Sequence, residues 1–377
     1  MNKKILLVVP SLSIGGQEKA VVDTAKLLGD EFDVKIVLFH KHDIEYPTDC
    51  SKLYLNVNAS QRRIGKITGQ IRRIFKLIAI RIKEKPDIVY SFGATANISN
   101  VASGLFSRGK SIISIHSYAS VYKSIINNFI FRYADHIICI SQEMQRELCE
   151  LYPNISNNTL IENGYNIEAI QENTSMKAAL CDSDIKFIAM GRLEAVKGYE
   201  RLLYAFSETI KVLPGARLIF LGTGSLEEEL KSLCKTLEIE PYVMFAGFQS
   251  NPFAYLSKAD VFVMSSYDYE GFPNALVEAL ACGLACICVD CLSGPREILM
   301  KTYEKNPICG VKEAEYGILT EQSQDNQIVA KYLTEAMIRI GTEPKLLENY
   351  RSKAAGRAND FSGTVHRKKL LNLFDTM

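Results

Sequence analysis

Short, unbroken apolar runs punctuate this chain, each followed by a longer stretch of mixed polarity. The first is Lys4–Val9, and Val34–Phe39, Asp87–Ser91, Ser111–Ile115 and His136–Ile140 come after it. A strand covered on both faces needs no polar face, so such runs fit a parallel sheet. Helix-length segments separate them, beginning with Glu18–Leu28 after the turn-rich Pro10–Gly16. This alternation predicts an α/β fold of crossover units.

The pattern restarts after Asn163-Gly164. Strands are predicted at 185–190, 217–221, 243–245, 261–264 and 285–289, with helices at 199–212 and 225–237. A polar stretch over 163–178 joins the two series. The reading is therefore two domains, 1–167 and 168–377. The last segment, about 344–377, reads as a polar helix able to pack back toward the first domain. If two such sheets face each other, their strand-end loops line one cleft.

Composition narrows this picture. A length of 377 residues suits two domains. At 47% hydrophobic and 23% charged, the chain is not a disordered one. A net charge of +1 argues against a dedicated nucleic-acid binder. No apolar run is long enough to span a bilayer, and Met1–Pro10 reads as a strand rather than a secretory signal. The ten cysteines then fit free thiols in the cytoplasm. Cys282, Cys286, Cys288 and Cys291 match no zinc spacing and read as core filler.

Charge is uneven. Residues 1–180 carry 22 basic and 17 acidic residues, against 22 and 26 in 181–377. Nine of the basic ones, with one acid, lie between Arg62 and Lys85. Ile64, Ile67, Ile71, Ile74, Phe75 and Ile78 recur there at helical spacing, which predicts an amphipathic helix. The expectation is an apolar face on the sheet and a basic face toward anionic lipid. A merely solvated charged face is the plain alternative.

Candidate chemistry sits where strands end. Gly15-Gly16 opens the first helix, where a backbone can approach an anion closely, although a plain turn explains it equally. Gly191-Arg192-Leu193 with Lys197-Gly198 puts two cations at one strand mouth, suited to a diphosphate. Gly222-Thr-Gly224 precedes another helix and reads equally as a capped turn. His116 comes directly after the strand at 111–115, one of five histidines in the chain. It suits proton transfer or substrate contact, or is an ordinary loop histidine. Most informative is Glu270-Gly-Phe-Pro-Asn-Ala-Leu-Val-Glu278. Pro273 suits a helix's first turn, with Glu270 before it and Glu278 inside it. Helix rise keeps the two within roughly 12 Å, the span between the sugar and ribose of a nucleotide-sugar. Backbone N–H groups near Asn274, Ala275 and Leu276 suit a phosphate between them. The GxGxxG fingerprint of a nicotinamide enzyme is absent.

In this order these motifs resemble the family 4 retaining glycosyltransferases, which have the GT-B fold. Tyr269 to Gly283 looks most like that family's diagnostic segment, and the resemblance covers nearly the whole chain. It implies two Rossmann-like domains facing across a cleft, the first for the acceptor and the second for a nucleotide-sugar. Arg192 and Lys197 would hold the donor diphosphate and Glu278 the ribose. Glu270 would contact sugar hydroxyls, assisted by the N–H groups of Gly271 and Phe272. Gly191, Gly222, Gly224 and Gly247 would line the donor site. His116 and Gly15-Gly16 would reach in from the first domain. Catalysis would rest on Glu270, His116, Arg192 and Lys197, with no metal and no cofactor. Asp182-Ser-Asp184 precedes a strand, away from where a metal-holding pair would lie. The segment Cys291–Leu299 with Tyr316–Leu319 is similar to bacterial members that build surface polysaccharides, capsule or O-antigen. The resemblance thus implies a hexose or N-acetylhexosamine moved from a UDP-sugar to a lipid-diphosphate-linked glycan. The enzyme would be peripheral at the inner membrane face, held through residues 62–85. A sugar-nucleotide epimerase and a non-catalytic scaffold of the same fold are the rival readings.

Overall fold

A computed structural model describes residues 3–13, 15–42, 45–58, 60, 62–175, 183–267 and 270–377. Asp182, Tyr269 and part of the polar stretch over 163–178 lie outside the described residues. The chain separates into two compact units, Met1–Tyr165 with Ser362–Met377, and Asn166–Phe361.

The first unit runs β1 (Lys4–Val9), α1 (Gly16–Leu28), β2 (Asp33–Leu38), β3 (Ser51–Tyr54), α2 (Arg63–Glu84), β4 (Ile88–Phe92), α3 (Ala94–Gly104), β5 (Lys110–Ile115), α4 (Ile125–Tyr133), β6 (His136–Cys139), α5 (Gln142–Leu151) and β7 (Asn158–Leu160). All seven strands pair in parallel, in the order β3-β2-β1-β4-β5-β6-β7. Successive side chains of β1 point to opposite faces. Ile5, Leu7 and Val9 meet Val21, Ala25 and Leu28 of α1, and Leu6 and Val8 meet Leu77 of α2. Both faces are buried, which is why the run is continuously apolar.

Helix α2 reverses the expected orientation. Its isoleucine face does not pack on the sheet: Ile64 is 78% exposed, Ile67 62%, Phe75 68% and Ile82 62%. The residues it buries are Arg73, Leu77 and Arg81. Two guanidinium groups go inward because neighbouring loops offer carbonyls to cap. Arg81 bonds the carbonyls of Asn100 (2.9 Å), Arg108 (3.3 Å) and Gly109 (2.8 Å), and the hydroxyls of Ser103 (3.0 Å) and Ser111 (3.2 Å). Buried carbonyls need donors, and a long cation at helical spacing supplies several at once.

The second unit runs α6 (Ile167–Glu172), β8 (Ile185–Met190), α7 (Tyr199–Val212), β9 (Ala216–Leu221), α8 (Glu227–Thr236), β10 (Val243–Phe245), α9 (Phe253–Leu256), β11 (Val261–Met264), α10 (Asn274–Ala281), β12 (Ala285–Val289), α11 (Pro295–Leu299), β13 (Val311–Glu313), β14 (Ile318–Thr320), α12 (Asn326–Thr342) and α13 (Pro344–Asn359). The sheet order is β10-β9-β8-β11-β12-β14-β13, parallel except at the β13–β14 pair. Leu202, Leu203 and Phe206 of α7 pack on Phe187, Leu218 and Phe220.

The C-terminal segment is two helices rather than one. After α13 the chain breaks at 360–362, and α14 (Gly363–Asp375) belongs to the first unit. Ser362 caps α14, and the Gly363 N–H donates to the Tyr165 carbonyl at 2.7 Å. The His366 ring lies against Gly164, where a Cβ would stand 2.6 Å from the His366 Cβ. The Asn163-Gly164 turn is therefore glycine because this helix crosses it. No helix among the described residues is long and apolar enough to cross a membrane.

Candidate active site

In the second unit the strand ends converge through glycine contacts. Gly222 comes after β9 with φ +131°, and a Cβ there would stand 2.1 Å from the Gly191 carbonyl. Gly224 meets the Leu193 carbonyl in the same way at 2.3 Å. The Gly222 N–H donates to the Gly247 carbonyl at 2.9 Å. Gly191, Gly222, Gly224 and Gly247 thus form one floor at the mouths of β8, β9 and β10. Gly191, Gly222 and Gly224 are a matter of close approach, whereas Gly247 has open space around it and a left-handed φ of +68°.

Lys197 and Glu270 meet over this part of the unit. Lys197 Nζ lies 2.7 Å from Glu270 Oε1, and both side chains are mostly buried. Ser266 Oγ donates to the same carboxylate oxygen at 2.6 Å. A Cβ on Gly191 would stand 3.3 Å from Lys197 Cε, so the lysine stem runs past that strand end. Gly198, left-handed at φ +59°, lies against the Ser265 carbonyl and turns the chain into α7. Arg192 is exposed, and among the described residues no ion pair occupies it.

The backbone of Glu270 is fixed from below. The carbonyl of Glu270 accepts from the Ser293 N–H (3.1 Å) and Oγ (3.0 Å), and Ser293 Oγ also reaches the Gly271 carbonyl at 3.0 Å. Gly294, at φ +102°, packs against Pro273 Cδ. Pro273 is the residue before α10 rather than within its first turn. Phe272 is buried against Phe361, while Asn274, Ala275 and Leu276 form the first turn of α10. Glu278 lies one turn further in, buried.

Arg201 completes the support. It is fully buried, with Nε donating to the Ser265 carbonyl at 2.7 Å, Nη2 to the Ser266 carbonyl, and Cζ over the Tyr267 ring. Ser266, Ser293 and Arg201 carry no signal of their own in the sequence. Ser266 lies just past the end of β11, so a scan of the residues after each strand end would have found it. Ser293 and Arg201 act through backbone carbonyls, which no spacing reveals. Cys286, Cys288 and Cys291 are buried, and burial raises all three thiols far above the usual range.

Gly15, Gly16 and His116 lie in the first unit. Gly15 precedes α1 with extended backbone, which any residue adopts, and Gly16 is the first residue of α1. His116 Nε2 lies 2.9 Å from Ser114 Oγ, and its ring is 5.5 Å from Phe92. Burial, then the neighbouring His366, push its imidazole down to about 4. It is a neutral imidazole at physiological pH.

Two family models match in tandem. Glycosyltransferase Family 4 matches residues 14–169, and Glycosyl transferases group 1 matches residues 171–354. The chain is a family 4 glycosyltransferase. This glycosyltransferase is 28% identical to an uncharacterised glycosyltransferase of Methanocaldococcus jannaschii, over 89% of this chain and 91% of that one. It is 26% identical to a Campylobacter jejuni 4-alpha-N-acetylgalactosaminyltransferase acting on a diphospho-undecaprenol-linked saccharide, over 95% and 96%. Among solved structures it resembles HepE of Anabaena, in complex with UDP and glucose, with TM-score 0.76, 17% identity and full coverage of both chains. Sucrose-phosphate synthase of Thermosynechococcus elongatus gives 0.79 at 18% identity, over 100% and 99%. These likenesses show the GT-B fold, and its relatives include enzymes of bacterial polysaccharide synthesis.

Proposed function

We propose that this glycosyltransferase moves a hexose or N-acetylhexosamine, with retention, from a UDP-sugar to a lipid-linked glycan in surface-polysaccharide assembly. The observation that carries this reading is the Lys197–Glu270–Ser266 cluster, with Glu278 buried on the helix that follows Glu270. Breaking the sugar–phosphate bond develops negative charge on the diphosphate and positive character on the sugar. Lys197 and Arg192 are assigned to the diphosphate, where fixed cations favour the leaving group without a metal. Glu270 takes the sugar hydroxyls, with the Gly271 and Phe272 N–H groups, and Glu278 takes the ribose. In the absence of donor Lys197 neutralises Glu270; a bound diphosphate then shares the ammonium. His116, with Gly15 and Gly16, is assigned to the acceptor side.

The UDP bound in HepE and the diphospho-undecaprenol acceptor of the Campylobacter relative support the choice of donor and acceptor. Such an acceptor lies in a membrane, and the exposed isoleucine stripe of α2 suits peripheral docking at its inner face. Neighbouring Arg63, Lys66 and Arg72 suit anionic headgroups. The test is a transfer assay with UDP-hexoses and UDP-N-acetylhexosamines and a polyprenyl-diphosphate glycan. Acceptor-dependent product with the donor's anomeric configuration, lost in Glu270→Ala, is expected. Conversion of the donor sugar without acceptor would make the protein an epimerase instead. No turnover of any donor would make it a scaffold.

A further inference from the structure

Arg73 is a buried cation left short of partners. It is 8% exposed, and its three contacts are all long: Gln70 Oε1 at 3.5 Å, the Val57 carbonyl at 3.5 Å and the Asn58 carbonyl at 3.4 Å. Its Nε has no partner, and among the described residues no carboxylate pairs with it. The same helix supplies a control. Arg81, 1% exposed, likewise forms no ion pair among the described residues, yet it makes six bonds of 2.8–3.3 Å. A buried charge is tolerable when hydrogen-bonded throughout and costly when not. Arg81 is complete as it stands; Arg73 is not.

The surroundings of Arg73 add two imidazoles, and the carboxylate beside them, Glu45, bonds to other groups and not to Arg73. Its guanidinium lies over the Phe39 ring, 4.7 Å from the centroid, at the carboxyl end of β2. The next residue, His40, has a buried Nδ1 with no partner. Its Nε2 lies 3.2 Å from His42 Nε2, and the two rings are 5.0 Å apart. His42 is exposed, so the cluster opens to solvent there. Glu45 is already engaged, accepting from the His42 N–H (3.0 Å) and from Lys52 Nζ (3.0 Å).

We propose that Arg73, His40 and His42 form an anion subsite for a phosphate or diphosphate group. Such a group offers several oxygens to a guanidinium fork and two imidazoles. Nothing else described at this strand end completes the Arg73 donor set. The inference rests on the lipid-linked acceptor proposed above only for the source of the anion.

The test tracks the histidine ring signals by NMR in the full chain during titration with inorganic pyrophosphate. With five histidines the signals are assignable by single substitutions. The His40 and His42 signals are expected to move. That of His136, bonded to Thr159 at the other side of the sheet, is expected to stay. Arg73→Gln should weaken the apparent affinity about tenfold, the loss of one charge-assisted contact set. His42→Ala, at an exposed position, should weaken it about threefold with an unchanged melting temperature. That second variant keeps the test valid if Arg73→Gln does not fold. Vesicles containing a polyprenyl diphosphate, against the same vesicles without it, then identify the source. Movement with both probes supports the subsite with its lipid source; movement with free pyrophosphate alone supports the subsite and removes that source. Signals that stay still, or that move equally in both variants, overturn the subsite. That result leaves the transfer reaction standing, since acceptor-dependent product measures it separately.

Discussion

Helices α2 and α7 carry the same kind of pattern and point it in opposite directions. In α7, Leu202, Leu203 and Phe206 face the sheet, and a single guanidinium, Arg201, reaches inward to two strand-end carbonyls. In α2 the inward stripe is Arg73, Leu77 and Arg81, and the isoleucines face out. Periodicity therefore defines two faces without saying which is inside. What decides is the demand of the neighbouring loops. The end of α3 and the α3–β5 connection leave carbonyls at Asn100, and at Arg108 and Gly109, that need donors. The outward apolar face is the surface that the membrane docking proposed above would use.

The comparison can be sharpened from the α7 side first. Lys197→Ala and Glu270→Ala should each lower sugar transfer by about 10²–10³-fold, the usual loss when a preorganised charge partner is removed. Steady-state turnover measures this. On the α2 side, Arg81→Met should cost about 3 kcal/mol, because several carbonyls and hydroxyls lose their donor together. Urea denaturation checks it against Arg72→Met at an exposed position. Equal costs for the two would break the account of the inverted helix.

A pH effect of intermediate size comes from His116 and His366. Burial pushes His366 down to about 4, and burial with His366 does the same to His116. An unfolded histidine titrates near 6.5, about the ordinary value. Above that pH neither state binds a proton and stability is unaffected. As pH falls from 6.5 toward 4 the unfolded chain takes up protons that the fold refuses, so stability is lost. The melting temperature is expected to be lower at pH 5 than at pH 7.5, and His366→Gln should shrink that difference. Ser293→Ala should lower kcat/KM only several-fold, since it loosens the Glu270 backbone and leaves its carboxylate pair intact. Smallest in stability is Ile67→Glu with Ile71→Glu: both positions are exposed, so the change should stay within about 0.5 kcal/mol. Vesicle sedimentation should nonetheless lose the protein.

The long buried strands were legible because both faces are covered and nothing polar interrupts them. β3 and β7 were not, being four and three residues with only partly buried side chains. The segment over 344–377 reads as one polar helix because α13 and α14 are both polar outside; only packing on Gly164 shows where the second one goes. In the site, Lys197 and Glu270 were visible separately as strand-end residues. Their contact was not, since 73 positions separate them and three-dimensional closure joins them. Ser293 stayed hidden because it acts through the carbonyls of Glu270 and Gly271, which leave no pattern in the sequence, while Ser266 is marked only by its place just past β11.

The central claim is that the second unit holds a uridine nucleotide between Lys197, Glu270 and Glu278. Thermal melting with UDP, GDP, ADP and NAD at equal concentration tests it, in the native chain and in Glu278→Ala. At a hundred times its dissociation constant a ligand stabilises by about 2.7 kcal/mol, a clear rise in melting temperature. The expected result is a rise with UDP that Glu278→Ala abolishes. A rise with NAD alone, or a UDP shift untouched by Glu278→Ala, would contradict it.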